Sequence, residues 1–216
     1  MRSAVASQAI MVRPESTDNY PGTLGNKPIA VNFHAGSHYV ALRLLEGYLP
    51  NEKIKLVHYG SPAQRFEAML NGEVAAAAVM EPWIALGEKL GCKAVCEGHY
   101  LGAESASDDM DPETFAAINR AVSNAVAMIN ADKRKYVHYM IDDPSFATVA
   151  AKYGGLTPED FHLPRLRYVE PTPYTDEIVE DTYNWMVRWG LLTDAACSAD
   201  LVENRIDEPV SAPADD

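Results

Sequence analysis

The sequence predicts an α/β protein: a three-layer lobe with a mainly parallel sheet, followed by a helical C-terminal region. Between residues 28 and 83, apolar runs of strand length alternate with helical patterns. The connections between these runs are short, which favours a parallel sheet covered by helices. The third run, residues 75–80, is almost wholly apolar, as expected for a parallel strand buried on both faces.

The first half of this stretch predicts a strand, a turn and a helix. The strand is expected over residues 29–33, the turn over 34–37, and the helix sets on one face Val40, Leu44, Leu45 and Tyr48. Ser37 is the predicted N-cap. The first amides of this helix would then point into a crevice, where they could bind an anionic oxygen. The alternative is that Gly36 and Ser37 form only a helix cap.

The second half repeats this order. A strand over residues 54–59 is followed by Gly60-Ser61-Pro62, in which Ser61 is the predicted N-cap and Pro62 the first helical residue. Gly60 and Ser61 could supply a second set of amide donors. Arg65 is predicted to be a solvated residue of the first turn, and the alternative is a cation in the crevice. Because ligands bind at the carboxyl ends of parallel strands, these turns are expected to face one crevice.

Two histidines flank the first turn. His34 lies outside the predicted helix and His38 just inside it, so the pair lacks the helical i,i+4 spacing of a metal site. A metal would also need a third ligand, for which Glu81 or His58 is nearby in the sequence. We therefore predict no metal. Hydrogen bonding to a ligand and a structural or solvent-facing role both remain open for these histidines.

Composition narrows the classes of partner. The chain has 216 residues, of which 18 are basic and 31 acidic, for a net charge of −13. This balance argues against binding nucleic acid phosphates or anionic lipid and favours a small organic ligand. The three cysteines provide no disulfide framework. No apolar stretch has the length of a signal-peptide core or a membrane span, so the sequence as written predicts a soluble, cytoplasmic protein.

The flanking segments complete the predicted organisation. Short strands are expected over residues 9–13 and 93–96, a polar loop over 97–111, and an extended link over 164–173. Helices are expected over residues 145–153 and after the capping residues Asp111, Asp132 and Thr175. The predicted segments are 1–27 for a crossing strand and loop, 28–100 for the ligand-binding lobe, 101–206 for the helical region and 207–216 for a disordered acidic tail.

The order of these features also resembles a known family. Its most specific part is Gly72-Glu73-Val74 followed by Glu81-Pro82-Trp83. The pattern, from about residue 10 to residue 206, resembles the second lobe of type II solute-binding proteins, in the nitrate, sulfonate, taurine and thiamine-precursor group of ABC importers. The half-lobe that precedes this stretch in the family, and an apolar strand that returns to it after residue 96, are not visible in this sequence.

The resemblance implies that Glu81 and Trp83 line the ligand cleft, although Trp83 could instead pack against the next helix. Combined with the two turns, it gives a predicted ligand-binding set of Asn32, His34, Gly36, Ser37, His38, Tyr59, Gly60, Ser61, Glu81 and Trp83. No catalytic residue, cofactor or metal ligand is predicted. Members of the family are usually periplasmic or extracellular, in contrast to the cytoplasmic location predicted above.

A binding protein is the favoured function, because the sequence has no recognisable catalytic or nucleotide-binding motif. The predicted ligand is an anionic or heteroaromatic organic molecule held by helix N-termini and an aromatic wall. One alternative is a cytosolic enzyme of the decarboxylase, lyase or hydrolase type, with His34, His38 or Glu81 as acid or base. Another is a partner-dependent subunit. The apolar helix faces in residues 115–129 and 178–189 predict a homodimer or an obligate heteromer.

Overall fold

A computed structural model describes residues 2–102, 105–192 and 202–203 of the chain. Its strands are β1 (Arg2–Val12), β2 (Pro28–Val31), β3 (Lys55–His58), β4 (Ala76–Met80), β5 (Lys93–Leu101) and β6 (Arg167–Thr172). Its α-helices are α1 (Gly36–Leu45), α2 (Pro62–Leu70), α3 (Trp83–Lys89), α4 (Pro112–Ala131), α5 (Lys133–Tyr136), α6 (His138–Ile141), α7 (Pro144–Ala150) and α8 (Asp176–Arg188). None of these helices is both long enough and apolar enough to cross a membrane.

One mixed sheet organises the described residues. Its strand order is β3-β2-β4-β1-β5, with β6 also paired to β1. β2 is parallel to both β3 and β4, whereas β1 is antiparallel to β4. The predicted α/β class with a mainly parallel sheet and a helical C-terminal part is therefore confirmed. The carboxyl ends of β2, β3 and β4 lie at one edge, which we call the carboxyl edge.

The core has one apolar layer on each face of the sheet. On one face, Ile10 and Val12 of β1 pack in a cluster with Ala41 and Leu45 of α1. On the other face, Phe66 of α2 and Trp83 of α3 have ring centroids 5.3 Å apart. The side chain of Met11 packs directly against Gly87. A Cβ added at Gly87 would lie 2.9 Å from Cε of Met11. β4 is buried on both faces as predicted, because helices cover both of its sides.

The described chain forms two compact units. The first comprises Val5–Tyr100 and Asp132–Arg167, and the described residues outside these ranges, including α4 and α8, form the second. The first unit contains the carboxyl edge together with helices α5 to α7. The segments predicted from the sequence did not group residues 132–167 with the ligand-binding lobe. The division of the chain into those segments stays a prediction. The predicted tail of residues 207–216 lies outside the described residues.

Several helix boundaries follow from capping residues. Ser61 caps α2 through a capping box with Gln64, as predicted. Asp132 and Thr175 cap α5 and α8, also as predicted. The prediction for α1 was wrong: its N-cap is Ala35, and Ser37 lies inside the helix with 2% of its surface exposed. The reason is that the Ser37 hydroxyl accepts the backbone N–H of Asn32 at 2.9 Å, which closes the turn from within.

Two further predictions were wrong about extended segments, and a third was incomplete. Residues 97–101 are not a loop, because β5 continues to Leu101 with side chains alternating between exposed and more buried positions. The strand expected at residue 9 already begins at Arg2. The proline-punctuated link contains β6, which pairs with β1. In each case pairing with a neighbouring strand extends the segment beyond its apolar core, which periodicity alone does not reveal.

Candidate functional site

The first two turns of the carboxyl edge are held together by the register of β2 and β3, which places Val31 opposite His58. The backbone N–H of Tyr59 donates to the Val31 carbonyl at 2.8 Å. In the other direction, the N–H of Phe33 donates to Nδ1 of His58 at 3.1 Å. The turns predicted to share a crevice are thus brought side by side.

His34 and His38 are linked by a hydrogen bond from the backbone of His34. His34 has φ +60°, in the left-handed region, and its N–H donates to Nδ1 of His38 at 3.2 Å. A backbone N–H can only donate, so Nδ1 of both His38 and His58 must be unprotonated. Each neutral ring therefore carries its proton on Nε2. Both rings are fixed as Nε2–H donors, which suits an oxygen-rich ligand.

The imidazoles form a cluster with two aromatic side chains. Phe33, which is 39% exposed, has its ring centroid 5.2 Å from His38 and 5.4 Å from His58. His38 also stacks on Tyr39 at 5.3 Å and contacts His34 at 5.8 Å. We call these five residues the aromatic rim. Among the described residues, no three His, Cys, Asp or Glu side chains are placed to hold a metal ion.

Burial, and to a smaller extent the neighbouring His34, lower the pKa of His38 from its ordinary value of 6.5. We predict that NMR of the imidazole nitrogens will show His38 protonated on Nε2 only at neutral pH, with a pKa below 6.5. The unfolded chain takes up this proton at higher pH than the folded chain. The contribution of neutral His38 to stability is therefore present above pH ~6.5 and is lost as pH falls through the lowered folded pKa. A His38→Gln variant should lose this pH dependence, and a His38 pKa at or above 6.5 would contradict the assignment.

The N-terminus of α1 lies beside this rim. Both His38 and Tyr39 donate their N–H groups to the Ala35 carbonyl. The N–H groups of Gly36 and Ser37 have no hydrogen-bond partner among residues 2–102, 105–192 and 202–203. The positive end of a ten-residue helix therefore carries two amides without an intramolecular acceptor in the described part of the chain. The ring of Tyr100 covers this point, since a Cβ on Gly36 would lie 3.8 Å from it.

A concavity of about 610 Å³ lies next to the second turn. It is lined by His58, Tyr59, Gly60, Gln64, Glu67, Ala68, Asn71 and Glu73. The hydroxyl of Tyr59 donates to a carboxylate oxygen of Glu73 at 3.3 Å. Two carboxylates on its wall make this concavity a poor place for an anion. Of the two turns, the first has the better donor geometry for a negatively charged ligand.

The third predicted ligand contact consists of Glu81 and Trp83. Both side chains are engaged by other residues of the protein. Trp83 is 4% exposed, and its ring lies 4.9 Å from that of Phe146. The Glu81 side chain is 7% exposed and pairs with Nη1 of Arg165 at 2.7 Å. It also accepts the N–H of Ala85 at 3.1 Å. These contacts favour the packing alternative for Trp83, and a ligand role for either residue stays a prediction.

Arg165 is the centre of a buried ion-pair cluster. Its guanidinium contacts Glu81, Glu88 at 2.6 Å and Glu97 at 3.0 Å, while 6% of the side chain is exposed. Its backbone carbonyl accepts the hydroxyl of Ser7 at 3.0 Å. Burial raises the pKa of Glu81, and the hydrogen bond from Arg165 opposes that rise. The guanidinium therefore links α3 and β5 with the residue that follows β4, and the Arg165 carbonyl adds a contact to β1.

We predict that Arg165→Met lowers the free energy of unfolding by about 3–5 kcal/mol, because Glu81 is left buried without its cation. Urea denaturation monitored by circular dichroism measures this change. The matched control is Arg167→Met, which removes an exposed arginine and should change stability by less than about 0.5 kcal/mol. Equal stability of the two variants would contradict the role of the cluster.

Two buried polar residues at the carboxyl edge lie outside the predicted ligand-binding set. Arg65, predicted to be solvated, is 2% exposed; its Nε donates to the Ala78 carbonyl at 2.9 Å and its Nη1 to the Tyr59 carbonyl at 3.2 Å. Gln8 is fully buried opposite Met80, and neither atom of its amide has a partner. A glutamine preceding the apolar run 9–12 was the available signal for Gln8. Nothing in the local pattern marks Arg65.

Comparison with known proteins gives the fold a name. The alkanesulfonate-binding protein SsuA from Xanthomonas axonopodis pv. citri, solved bound to MOPS, superposes with a TM-score of 0.71 at 17% identity, over 93% of this chain and 72% of that one. The periplasmic aliphatic sulphonate binding protein SsuA from Escherichia coli gives 0.64 at 18% identity, over 90% and 68%. The chain has the type II solute-binding-protein fold. The resemblance seen in the sequence is thereby confirmed at the level of the fold.

An enzyme shares this architecture more distantly. The desulfurization enzyme DSZB superposes with a TM-score of 0.55 at 15% identity, over 92% of this chain and 74% of the enzyme. No protein-family model and no curated protein sequence matches the chain. At these identities the likeness shows the fold alone. Which ligand binds, and whether chemistry follows, depends on the residues of this chain.

Proposed function

We propose that this protein binds a small organic anion, with a sulfonate as the first candidate, at the first turn of the carboxyl edge. The observation that carries the proposal is the set of donors gathered there: the unpaired amides of Gly36 and Ser37 beside the Nε2–H groups of His38 and His58. Donors without a carboxylate among them favour a negatively charged head group. The rim residues Phe33 and Tyr39 offer apolar surface for the organic part.

The fold supports the same proposal. The two SsuA proteins are described as binding alkanesulfonates and aliphatic sulphonates. In parallel sheets, ligands bind outside the carboxyl ends of the strands. The proposed contacts are those of the predicted set that lie on the two turns: Asn32, His34, Gly36, Ser37, His38, Tyr59, Gly60 and Ser61. The aromatic surface is that of the rim and not that of Trp83.

The enzyme alternative gains no support from the described thiols. Burial raises the pKa of both Cys92 and Cys96 to about 11. An activated nucleophilic thiol has a lowered pKa, so these two cysteines behave as packing residues. His38 and His58 accept backbone amides at Nδ1, which leaves only Nε2 of each for contact with a ligand.

We predict that benzenesulfonate and MOPS raise the melting temperature, whereas the neutral methyl phenyl sulfone does not, in buffers that contain chloride as the main anion. At a ligand concentration of 100 Kd the gain is about 2.7 kcal/mol. Calorimetric titration then gives the affinity directly. Absence of any stabilisation by the anions, or equal binding of the neutral sulfone, would contradict the proposal.

A pair of glycine variants locates the site. Gly36→Leu places a bulky side chain over the first amides of α1, and we predict at least a tenfold loss of affinity, roughly the worth of one hydrogen bond to a charged group. The matched control, Gly47→Leu, has open space around its Cβ position and should bind as the unmodified protein does. Similar affinities of the two variants would place the ligand elsewhere.

We also propose that the protein assembles as a homodimer or with a second subunit. Within α4, only Asn119 and Val126 are buried, while Ile118 is 40% and Met128 56% exposed. Exposed apolar side chains on one helix favour a covering partner. Light scattering at micromolar concentration should give twice the chain mass of 23.7 kDa for a homodimer. A stable monomer that binds ligand normally would contradict the assembly.

A further inference from the structure

We propose that Arg65 supplies the positive charge that selects an anionic head group, and that the buried amide of Gln8, at the same edge of the sheet, is a further donor to the ligand. This inference rests on the proposed function and names the residues that determine its specificity. Neither residue belongs to the predicted ligand-binding set.

The first step is the state of the Arg65 guanidinium. It is 2% exposed, yet its two hydrogen bonds go to neutral carbonyls, those of Ala78 and Tyr59. No carboxylate of the described residues lies within ion-pair distance of it. Burial lowers the pKa of Arg65 to about 10. A buried cation without a counter-ion is strongly unfavourable, so a bound anion would relieve it.

The lack of a paired carboxylate among the described residues is specific to Arg65, as a comparison with Arg165 shows. Arg165 is also buried, and three carboxylates surround it: Glu81, Glu88 and Glu97. The same unit therefore compensates one buried arginine fully and leaves the other without a carboxylate. A purely structural role for Arg65 would not explain why its charge is left uncompensated.

The second step is access. Nε and Nη1 of Arg65 are used by carbonyls, whereas Nη2 has no partner among the described residues. Nη2 is therefore the guanidinium nitrogen that a ligand oxygen could contact. Tyr100, which lies near enough to Arg65 to influence its pKa, also lies at the start of α1, where a Cβ on Gly36 would be 3.8 Å from its ring.

The third step is the Gln8 amide, an independent observation. Along β1, Gln8 shares a face with Ile10 and Val12, which pack in the cluster with α1. Its register opposite Met80 places it at the carboxyl edge. Both polar atoms of this fully buried amide lack partners, although such groups are normally satisfied. A ligand oxygen accepting from Nε2 would satisfy the donor.

These placements fit a head group with several oxygens and a net negative charge. A sulfonate offers three oxygens, which could accept from Arg65, from Gln8 and from the amides of Gly36 and Ser37. A neutral analogue would leave the guanidinium unpaired. We therefore expect the preference for an anion over its neutral analogue to depend on Arg65. The helix amides and the rim should contribute to the binding of both compounds.

The experiment measures binding of benzenesulfonate and of methyl phenyl sulfone by calorimetry. Arg65→Gln should lower the affinity for benzenesulfonate by roughly 10- to 100-fold, the worth of a hydrogen bond to a charged group. Arg65→Lys keeps the charge. It should bind benzenesulfonate more weakly than the unmodified protein but more tightly than Arg65→Gln. The matched control is Arg43→Gln, at the opposite end of α1, which removes an equal charge and should bind as the unmodified protein does.

Gln8→Leu separates a ligand role from a structural one. Removing an unpaired buried amide should raise the melting temperature, and it should at the same time weaken benzenesulfonate binding. Should Arg65→Gln fail to fold, the ¹⁵N signal of the Arg65 guanidinium in the unmodified protein gives the answer. It should shift on titration with MOPS, and an unchanged signal at saturation would overturn the inference.

The outcomes distinguish this inference from the proposed function. Tight anion binding that survives in folded Arg65→Gln would overturn the role of Arg65 and leave the proposed function intact. Failure of the unmodified protein to bind any of the anions would overturn both. Unchanged binding by Gln8→Leu would remove Gln8 from the donor set.

Discussion

The parallel pairing of β2 with a strand on each side is the constraint on which the carboxyl edge depends. Because β3 and β4 both run in the direction of β2, all three strands end at the same edge, and every turn that follows them is delivered there. The Phe33 and Tyr59 amides then fasten the first two turns to each other. Antiparallel β1 enters the same edge from the other direction and contributes Gln8. Four separated stretches of sequence thereby reach one place.

The order of strands and helices could be predicted because each element carries its own local signal. Periodicity locates α1 and the apolar run of β4, and the Ser-Pro pair marks the start of α2. Ser37 shows where this method fails, since a serine near a helix start is usually a cap. Its hydroxyl is used instead by the amide of Asn32, five residues earlier. Such a contact depends on the three-dimensional turn.

The site was only partly predictable for a related reason. The turn residues were found because strand ends can be read locally, and their approach follows from the parallel sheet. Charge compensation cannot be read in this way. The carboxylates that pair with Arg165 come from positions 68 to 84 residues away, whereas Glu67, two residues from Arg65 in the sequence, pairs with Lys152 instead. Whether an arginine is solvated, paired or buried without a counter-ion is decided by tertiary contacts.

The position of β3 has a consequence for how two molecules could meet. β3 is the outermost strand at its end of the sheet, so its outer backbone groups could in principle accept a strand from another chain. It is only four residues long, and Lys55 and His58 are exposed on it. Short edge strands that carry a lysine resist the addition of a strand from another chain. Continuous sheets shared between molecules are therefore disfavoured at this edge strand.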